Sequence, residues 1–338
     1  MNSHDDRLRA AFAPVRDAID DGRIPGAVLG ISSGGAQGLL AGGSAQLTPT
    51  RVPMRADTWF DLASLTKVVF TTTAILRLVR EGRIGLDDPL AAAIPDLRQY
   101  DISGAAERRL TFRQCLTHRT HLPAVEPLYT YGQDPQTLRA FVLQRAWTAG
   151  PPVYSDINFI LLGIAVERLT GRPLAEQPLP SGFGFRPDSA FCAATEFCHW
   201  RGRVMRGEVH DENAFALGGA AGHAGLFGSA QALLDFADAL LDGGRTLGLD
   251  ASGVAELRSR QTPTRCLGWE MPHPGWPGGD GCSPDTIGHT GFTGTGLWID
   301  FDRRCAWTLL TNRVHPSRHA DSGIAALRRR VGEIVCAG

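Results

Sequence analysis

Apolar and polar positions along the first 64 residues predict one helix followed by strands. Residues 8–20 repeat apolar side chains at helical spacing and stop shortly before Gly22, a residue type that commonly ends helices. The stretches AVLGIS (27–32) and GLLAGG (38–43) are joined by a glycine-rich turn and predict two strands, and TWFDLAS (58–64) predicts a third extended segment. The chain therefore begins with a helix that precedes a sheet.

The next segment has the pattern of a buried helix. From Leu65 to Val79 apolar residues keep the helical period, and the three threonines at 71–73 add no charge. Because this helix is apolar on nearly every side, we expect it to lie inside the molecule.

Helical patterns dominate the middle of the chain. LTFRQCLTHR (110–119), PQTLRAFVLQRA (135–146) and SDINFILLGIAVERLT (155–170) each predict a helix. The last of these is expected to begin at an N-cap, Ser155, and to end at Gly171.

Strand patterns return near the carboxyl end. TGLWID (295–300) and CAWTLLTN (305–312) predict two strands joined by the charged turn FDRR, and residues 324–335 predict a final helix. Strands at both ends with helices between them predict an α/β sheet domain built from both termini, with an α-helical region inserted.

Composition narrows the class of protein. Of the 338 residues 43% are hydrophobic and 20% are charged, and the formal net charge is −1. A chain so close to neutral has no overall field that attracts nucleic acid or an anionic membrane, so neither partner is expected. The N-terminal MNSHDDRLRAAF lacks the features of a signal peptide, and no apolar run is long enough for a membrane span, which predicts a cytoplasmic protein.

The cysteines give no sign of a disulfide framework or a metal site. There are seven, an odd number, scattered without a C-x-x-C pair. We expect reduced, mostly buried thiols, and we expect no cofactor.

Lys67 is the only lysine in the chain, although lysine and arginine together number 34. It follows Ser64 by three residues at the start of the predicted helix, so the two side chains share one face. The helix dipole and apolar neighbours both disfavour its charged form, which predicts a lowered pKa for Lys67. A neutral amine can take the proton of a serine hydroxyl, whereas a guanidinium cannot be deprotonated in a protein.

A purely structural interpretation of this pair is also open. Serine is an ordinary N-cap residue, and a surface lysine would simply be solvated. Because S-x-x-K is a short pattern, the pair alone does not decide between these interpretations. A serine hydrolase of this type also needs a second proton carrier and an oxyanion hole. Tyr154 before a helix and His289-Thr290-Gly291 before a strand are candidates.

Six blocks in order carry a family resemblance: FDLASLTK, GRIGLDDPL, LTFRQCLTHRTHLP, YSDINFILLG, GLF and HTGFTGT. Together they resemble the serine β-lactamase and penicillin-binding-protein-like superfamily, in its branch of class C β-lactamases, DD-peptidases and esterases, over about residues 25–335. The resemblance implies an α/β (α+β) serine β-lactamase-like fold, with an antiparallel sheet built from both termini, flanking helices and an inserted all-helical region. It implies one catalytic domain over residues 1–338, with an α/β part at about 1–75 and 240–338 and a helical part at about 76–239.

The resemblance also assigns roles to residues. It implies that Ser64 is the acylated nucleophile, Lys67 its activating partner, and Tyr154 the acid/base that protonates the leaving group and later helps water to attack. The backbone N–H groups of Ser64 and Phe292 would form the oxyanion hole. The substrate-binding positions would be Asp156, Asn158, His289, Thr290 and Gly291. Without the resemblance, structural interpretations stay open. Tyr154 could be the apolar residue before the N-cap that packs on Phe159, and HTG could lead into a strand without contacting substrate.

Two positions depart from the family pattern. The usual Tyr-x-Asn motif is Tyr154-Ser155-Asp156, which places an acceptor-only carboxylate where an amide usually helps to hold substrate, and Asn158 is a candidate replacement. The third motif begins with His289 in place of lysine, so a permanent charge is replaced by one that is mostly absent at pH 7. Efficient β-lactam hydrolysis is therefore not expected.

Two other stretches of the sequence are candidates for different chemistry. Gly30-Ile31-Ser32-Ser33-Gly34 matches the G-x-S-x-G nucleophile elbow, but the following residues form a poor helix, which favours Ser32 as a turn residue.

The second stretch, residues 207–227, gathers Glu208, His210, Asp211, Glu212 and His223. A metal site is conceivable there, but we favour polar residues that hold a glycine-rich loop in place. The stretch also resembles muropeptide-recycling amidases within the superfamily, which points weakly to a peptidoglycan-derived amide.

The sequence thus predicts a serine hydrolase that forms an acyl-enzyme on an amide or peptide bond of a peptidoglycan-derived or acyl-amino-acid substrate. A carboxylesterase that uses the same residues is the second hypothesis. A catalytically silent protein that binds a muropeptide or a β-lactam is the third, although binding alone needs no activated nucleophile.

Overall fold

A computed structural model describes residues 3–337 as a mixed α/β protein with antiparallel sheets. The strands of the described residues are β1 (Gly26–Ser33), β2 (Ala36–Gln46), β3 (Val52–Pro53), β4 (Phe60–Asp61), β5 (Phe183–Phe185), β6 (Ala194–Cys198), β7 (Arg203–Arg206), β8 (Leu226–Gly228), β9 (Ile287–Thr290), β10 (Thr295–Asp300) and β11 (Cys305–Thr311).

Helices account for most of the remaining regular structure. The α-helices are α1 (Ser3–Asp20), α2 (Thr73–Arg80), α3 (Phe112–Leu116), α4 (Pro135–Gln144), α5 (Asp156–Thr170), α6 (Glu212–Ala216), α7 (Ala230–Leu241), α8 (Ala251–Arg258) and α9 (Ile324–Cys336). A π-helical turn, Lys67–Thr72, precedes α2. Short 3₁₀ turns lie at Leu90–Ala92, Ala106–Arg109, Leu128–Thr130, Leu174–Glu176, Ser189–Phe191 and Arg245–Leu247. Among residues 3–337, no helix is both long and apolar enough to cross a bilayer.

The main sheet joins the two ends of the chain. Its strand order is β3-β2-β1-β11-β10-β9, and every neighbouring pair is antiparallel. Strand β1 pairs with β11 in the register Ala27↔Thr311 and Leu29↔Leu309, so a strand from each terminus lies at the centre of the sheet. This arrangement confirms the prediction of an antiparallel sheet built from both termini and flanked by helices.

Two layers of apolar side chains hold this sheet between helices. On one face, α1 and α9 pack against residues such as Leu29 and the stacked pair Trp298 and Trp307, whose ring centroids are 5.8 Å apart. On the other face, α7 packs on β1 and β11 and joins the larger core that continues into the helices of the middle region. Burial of large apolar side chains is the dominant stabilising contribution in such layers.

The middle of the chain is not all-helical, contrary to expectation. Strands β5 to β8 lie within residues 76–239, where β6 pairs with β7, and β8 pairs with both β5 and β4. All four of these strands have five residues or fewer, and β5 and β8 pair only with strands that are distant in the sequence. Such short segments show no clear alternation of apolar and polar residues. The β4-β8-β5 sheet connects the middle region to the segment just before Ser64.

The predicted buried helix is present and contains an irregular turn. Residues 65–80 are helical, and the π-helical turn at 67–72 is entirely buried. The hydroxyl groups of Thr72 and Thr73 donate to the carbonyls of Lys67 and Val68, five residues earlier, at 2.8 and 3.3 Å. These threonine hydroxyls are therefore satisfied inside the core by backbone carbonyl groups of the wide turn.

Candidate active site

A cavity of about 400 Å³ opens where the edge of the main sheet meets the helical region. Its wall includes Ser64 at the start of the buried helix, Tyr154 and Asp156 at the start of α5, and Phe292 in the turn between β9 and β10. The loop before β8 contributes His223. Residues more than 200 positions apart in the sequence therefore meet in one cavity.

The turn that presents Ser64 is held by a buried carboxylate. Asp61 is 2% exposed, and its two oxygens accept hydrogen bonds from the backbone N–H groups of Ala63, at 2.8 Å, and His210, at 2.6 Å. Burial raises the pKa of Asp61. Ala63 has φ +47°, a left-handed conformation that is costly for a residue with a side chain and that clusters at functional sites.

Lys67 lies beneath the cavity floor against three oxygen atoms. Its Nζ donates to Ser64 Oγ at 2.9 Å and to the carbonyl oxygen of His223 at 3.1 Å, and it forms an ion pair with Asp156 Oδ1 at 2.8 Å. Burial alone would lower the pKa of Lys67, but the charge of Asp156 opposes it, and the pKa is raised overall. The expected lowering of this pKa is therefore wrong, because the sequence did not reveal the ion pair.

Tyr154 is held among aromatic and cationic neighbours. The His118 ring stacks on it with centroids 4.4 Å apart, and Lys67 Nζ lies 5.1 Å from its ring centroid. The next residue, Ser155, donates its backbone N–H to His118 Nδ1 at 3.0 Å and its hydroxyl to the carbonyl of Pro123 at 2.6 Å. Ser155 is the N-cap residue of α5, but its hydroxyl makes no capping bond to the helix.

Ser64 and Phe292 both line the cavity, and each has a backbone N–H group without a protein partner among the described residues. Within residues 3–337, neither group donates a hydrogen bond to another protein atom. The two turns that carry them are joined, because Thr295 Oγ1 donates to the carbonyl of Leu62 at 3.0 Å. A Cβ atom on Gly291 would lie 2.5 Å from that same carbonyl oxygen, so this close approach requires glycine. Two free donors held at a fixed separation are suited to stabilising an oxyanion.

Comparisons with known proteins identify the family and the fold. The family model described as Beta-lactamase matches residues 9–330. An N-acetylmuramyl-L-alanine amidase of Bacillus subtilis (strain 168) is 33% identical, with 78% of this chain and 69% of the relative covered. A putative D-alanyl-D-alanine carboxypeptidase of Escherichia coli (strain K12) is 32% identical, with 78% and 71% covered.

The chain belongs to the beta-lactamase family. A solved structure titled EstCE1, a hydrolase with promiscuous acyltransferase activity, has a TM-score of 0.74 at 22% identity and covers 99% of this chain and 100% of its own. A penicillin-binding protein homolog from Caulobacter crescentus has a TM-score of 0.72, also at 22% identity, with 98% and 97% covered. These structures show the same fold. The predicted family, the fold class and the assignment as a hydrolase are confirmed.

The third family motif is present but does not line the cavity. His289 is 4% exposed and donates from Nδ1 to the carbonyl of Thr290 at 2.9 Å. Burial, together with the nearby charges of Arg265 and Lys67, holds the pKa of His289 well below its usual range. The imidazole is therefore neutral at pH 7, and Thr290 and Gly291 contribute backbone to the turn that carries Phe292.

The two residues of the altered second family motif have different positions. Asp156 lines the cavity and pairs with Lys67. Asn158 is fully buried, and its Oδ1 accepts a hydrogen bond from Thr120 at 2.7 Å, so the structure does not bring it to the cavity. It therefore ties α5 to the loop that follows α3, and its amide does not replace the one that Asp156 lacks.

Three residues of this family site were missed in the sequence. Asp61, His118 and Arg265 each act on the site through contacts over long separations. Asp61 lies in the block FDLASLTK and His118 in the block LTFRQCLTHRTHLP, so the family resemblance was a signal that could have found both. Arg265 lies in no such block.

Charged residues of the 207–227 loop are largely paired with one another or with arginines. Glu208 pairs with Arg201 at 3.2 Å, and Asp211 Oδ1 lies 2.9 Å from His223 Nε2. Asp156, Asp211 and His223 place potential ligand atoms within 4.8 Å of one another. The Lys67 ammonium lies against the same Asp156 oxygen, so a metal ion there would compete with a resident cation.

Ser32, the rival nucleophile, is a strand residue. It lies in β1, is buried, and donates its hydroxyl to Asp238 at 2.7 Å. The strand continues into a glycine turn and then β2, so no nucleophile elbow forms, and Ser32 is not the turn residue that the sequence favoured.

Proposed function

We propose that this protein is a serine hydrolase that forms an acyl-enzyme at Ser64 and acts on the amide of a peptidoglycan-derived or other acyl-amino-acid substrate. One observation carries the proposal: Ser64 Oγ lies 2.9 Å from the only lysine, in a cavity that also presents Tyr154 and the N–H groups of Ser64 and Phe292. A nucleophile, a proton acceptor, a second proton carrier and an oxyanion hole are what such chemistry requires.

Acylation begins with attack of Ser64 Oγ on the substrate carbonyl carbon. The Ser64 proton passes to the Lys67 amine, and the oxyanion is held by the two backbone N–H groups. Tyr154 donates a proton to the leaving nitrogen, and the carbon–nitrogen bond breaks. In the second half, Tyr154 accepts a proton from water as the water attacks the ester carbon. The bond between that carbon and Ser64 Oγ then breaks, Lys67 returns its proton to Ser64 Oγ at 2.9 Å, and the acid is released.

The charge state of Lys67 sets the pH dependence of this reaction. Because Asp156 keeps Lys67 protonated, only a minority of molecules hold the neutral amine at pH 7. The acylation-competent fraction grows as pH rises, so we expect kcat/KM to increase from neutral into alkaline solution.

The substrate class follows from the relatives and from the cavity. The two curated relatives are named for amide or peptide bonds of cell-wall fragments, and both are more than 30% identical to this chain. Phe292, 50% exposed, and Tyr129 offer aromatic surface on which the acyl or leaving group can pack. The neutral His289 provides no permanent charge for the carboxylate of a β-lactam, so β-lactams are expected to be slow acylators.

A carboxylesterase is the second candidate. The leaving group of an ester depends less on protonation by an acid than that of an amide does. Because His289 is neutral, the site does not require a carboxylate on the substrate. A silent binding protein is disfavoured by the direct contact between Ser64 and Lys67.

Labelling tests the nucleophile. A fluorophosphonate probe is expected to add to wild type at one serine, mapped by peptide mass spectrometry to Ser64. Ser64→Ala is expected to abolish labelling and to lower turnover at least about a thousandfold. Ser32→Ala serves as the matched control, and it should still be labelled at Ser64.

Substrate turnover then separates the candidate functions. Faster turnover of a muropeptide amide than of p-nitrophenyl acetate supports the amidase, and the reverse order supports the esterase. A labelled Ser64 that turns over neither substrate favours a binding protein, and labelling at Ser32 contradicts the proposed nucleophile.

A further inference from the structure

Arg265 is a cation beside the site for which the structure shows no opposite charge. Its backbone pairs with Glu270, which in turn pairs with Gly288, next to His289. Within the part of the chain that the structure describes, no carboxylate lies within 4.0 Å of its guanidinium, and the buried Nη1 has no hydrogen-bond partner. A partly buried cation without a partner is costly to fold, so its position calls for an explanation.

The guanidinium of Arg265 faces Tyr154. Its central carbon lies 5.2 Å from the Tyr154 ring centroid, within the range of a cation–π contact. Titratable and charged groups surround this tyrosine from every element packed on it: Lys67, Asp156, His118, His289 and Arg265. Only one of the five is an acid, and Lys67 already pairs with it. Tyr154 therefore lies in a net positive field.

The hydrogen bond behind Tyr154 depends on an unprotonated His118. His118 Nδ1 accepts the backbone N–H of Ser155 at 3.0 Å, and a protonated ring nitrogen cannot accept. Burial, followed by the charge of Arg265, holds the pKa of His118 well below its usual range. Protonation would therefore break a bond adjacent to Tyr154 and loosen the ring stacked upon it.

We propose that Arg265 is a positioning residue for the acid/base Tyr154. Its fixed charge stabilises negative charge on the Tyr154 oxygen while the proton is on the leaving group, and it keeps His118 able to accept the Ser155 N–H. Arg265 thereby supplies the permanent positive charge that His289 does not. This inference rests on the proposed function, since Tyr154 is the acid/base only if Ser64 is acylated.

The test compares Arg265→Gln, Arg265→Lys and the control Arg260→Gln. Arg260 is exposed, lies on the same segment and donates to the backbone carbonyls of Pro263 and Pro284. Arg260→Gln removes one positive charge, as Arg265→Gln does. Two readouts are used: NMR titration of ¹³C-labelled histidine rings, and the pH profile of kcat/KM. Removing a positive charge favours protonated histidine, so Arg265→Gln should raise the pKa of His118 and His289 by about one unit.

The pH profile should change in the same direction. Arg265 and Lys67 lie 5.2 and 5.1 Å from the same Tyr154 ring centroid, so loss of the Arg265 charge also favours protonated Lys67. In Arg265→Gln the acid limb of kcat/KM, which Lys67 sets, should therefore move to higher pH by about one unit, and kcat/KM at neutral pH should fall about tenfold. Arg265→Lys, which keeps the charge, should stay near wild type in both readouts, as should Arg260→Gln. Thermal unfolding of each variant identifies any that does not fold. If Arg265→Gln does not fold, the histidine titrations of Arg265→Lys are compared with those of wild type.

Superimposable histidine titrations and pH profiles for Arg265→Gln and Arg260→Gln would overturn the proposal. So would an Arg265→Lys variant as impaired as Arg265→Gln, because charge would then not be the cause. Failure of the proposed function is recognised separately, since wild type would then not be labelled at Ser64, while the histidine titrations still report the field of Arg265.

Discussion

Buried charge is treated differently around Lys67 and around Arg265, the two cations beside Tyr154. On the Lys67 side, the ammonium pairs with Asp156, and Asp211 pairs with His223, so each charge has a partner within 3 Å. On the Arg265 side, the guanidinium has no acidic partner among the described residues, and the histidines beside it are neutral.

This difference shows which interactions control each side. Where charges are paired, the protonation state of a residue is set by its partner, and the removal of that partner changes it. Around the unpaired Arg265, burial and then the charges of Arg265 and Lys67 hold the pKa of His118 and His289 below its usual range. Substitutions on the Lys67 side should therefore alter proton transfer at Ser64, whereas those on the Arg265 side should alter the placement of Tyr154.

The largest effect is expected from Lys67→Arg. This substitution keeps a positive charge beside Asp156 but cannot release a proton, so acylation loses its base. We expect kcat/KM to fall at least about a hundredfold, measured by turnover and by the rate of fluorophosphonate labelling. Lys67→Met, which removes the charge as well, should be equally inactive. Activity of Lys67→Arg within tenfold of wild type would show that a deprotonated amine is not needed.

A smaller and directional change is expected from Asp156→Asn. Loss of the carboxylate removes the attraction that holds Lys67 protonated, so the pKa of Lys67 falls and the neutral amine is populated at lower pH. The acid limb of the kcat/KM profile should move to lower pH by about one unit or more. Asp87→Asn, which breaks a surface pair with Arg113, is the control and should leave the limb in place. A limb that stays fixed in Asp156→Asn argues against Lys67 as the titrating group.

His118→Phe tests whether the hydrogen bond from Ser155 to His118 positions Tyr154, and it changes no charge because His118 is neutral. The ring can still stack on Tyr154, but the buried N–H of Ser155 loses its acceptor. An unsatisfied buried donor costs about 1–3 kcal/mol, so we expect kcat/KM to fall about tenfold through misplacement of Tyr154. His121→Phe, three residues along the same loop, should change little. If both variants behave alike, the Ser155 bond does not position Tyr154.

The smallest effect is expected from chelation. Asp156, Asp211 and His223 are close enough to resemble a metal site, but the Lys67 ammonium lies against Asp156. EDTA should change kcat/KM by less than about twofold, and added Zn²⁺ should not activate the protein. Loss of activity on dialysis against EDTA, restored by Zn²⁺, would show that a metal takes part.

Sequence patterns predicted the sheet and the helices where the signal is local. Strand β10 has the predicted bounds, 295–300, and β11 and α9 differ from prediction by one residue at one end. Strands β10 and β11 are buried at every position, and the buried residues of α9 recur at the helical period, so each segment carries a signal along its whole length. The three-residue strands β5 and β8 carry too few residues to show a period, which is why the middle region was expected to be all-helical.

The site was predictable only as far as its motifs extend. Ser64 and Lys67 are three residues apart, so helix geometry alone predicts their contact. The pair between Lys67 and Asp156 spans 89 positions in the sequence, and that between Arg265 and Tyr154 spans 111. No local pattern encodes such contacts, so the raised pKa of Lys67 and the role of Arg265 could not be anticipated.

The π-helical turn at 67–72 has a consequence for how this segment can change in length. An α-helix advances about 100° per residue, so a wide turn holds one residue more than a regular turn of the same height. Deletion of a single residue within 67–72 would restore regular α-helical bonding and leave Thr72 and Thr73 without their distant carbonyl partners. The downstream apolar residues, such as Ile75, would keep their orientation relative to Ser64, whereas a deletion within α2 would rotate the residues that follow it by roughly 100°. We therefore expect a single-residue deletion scan to find deletions within 68–72 better tolerated than deletions within α2.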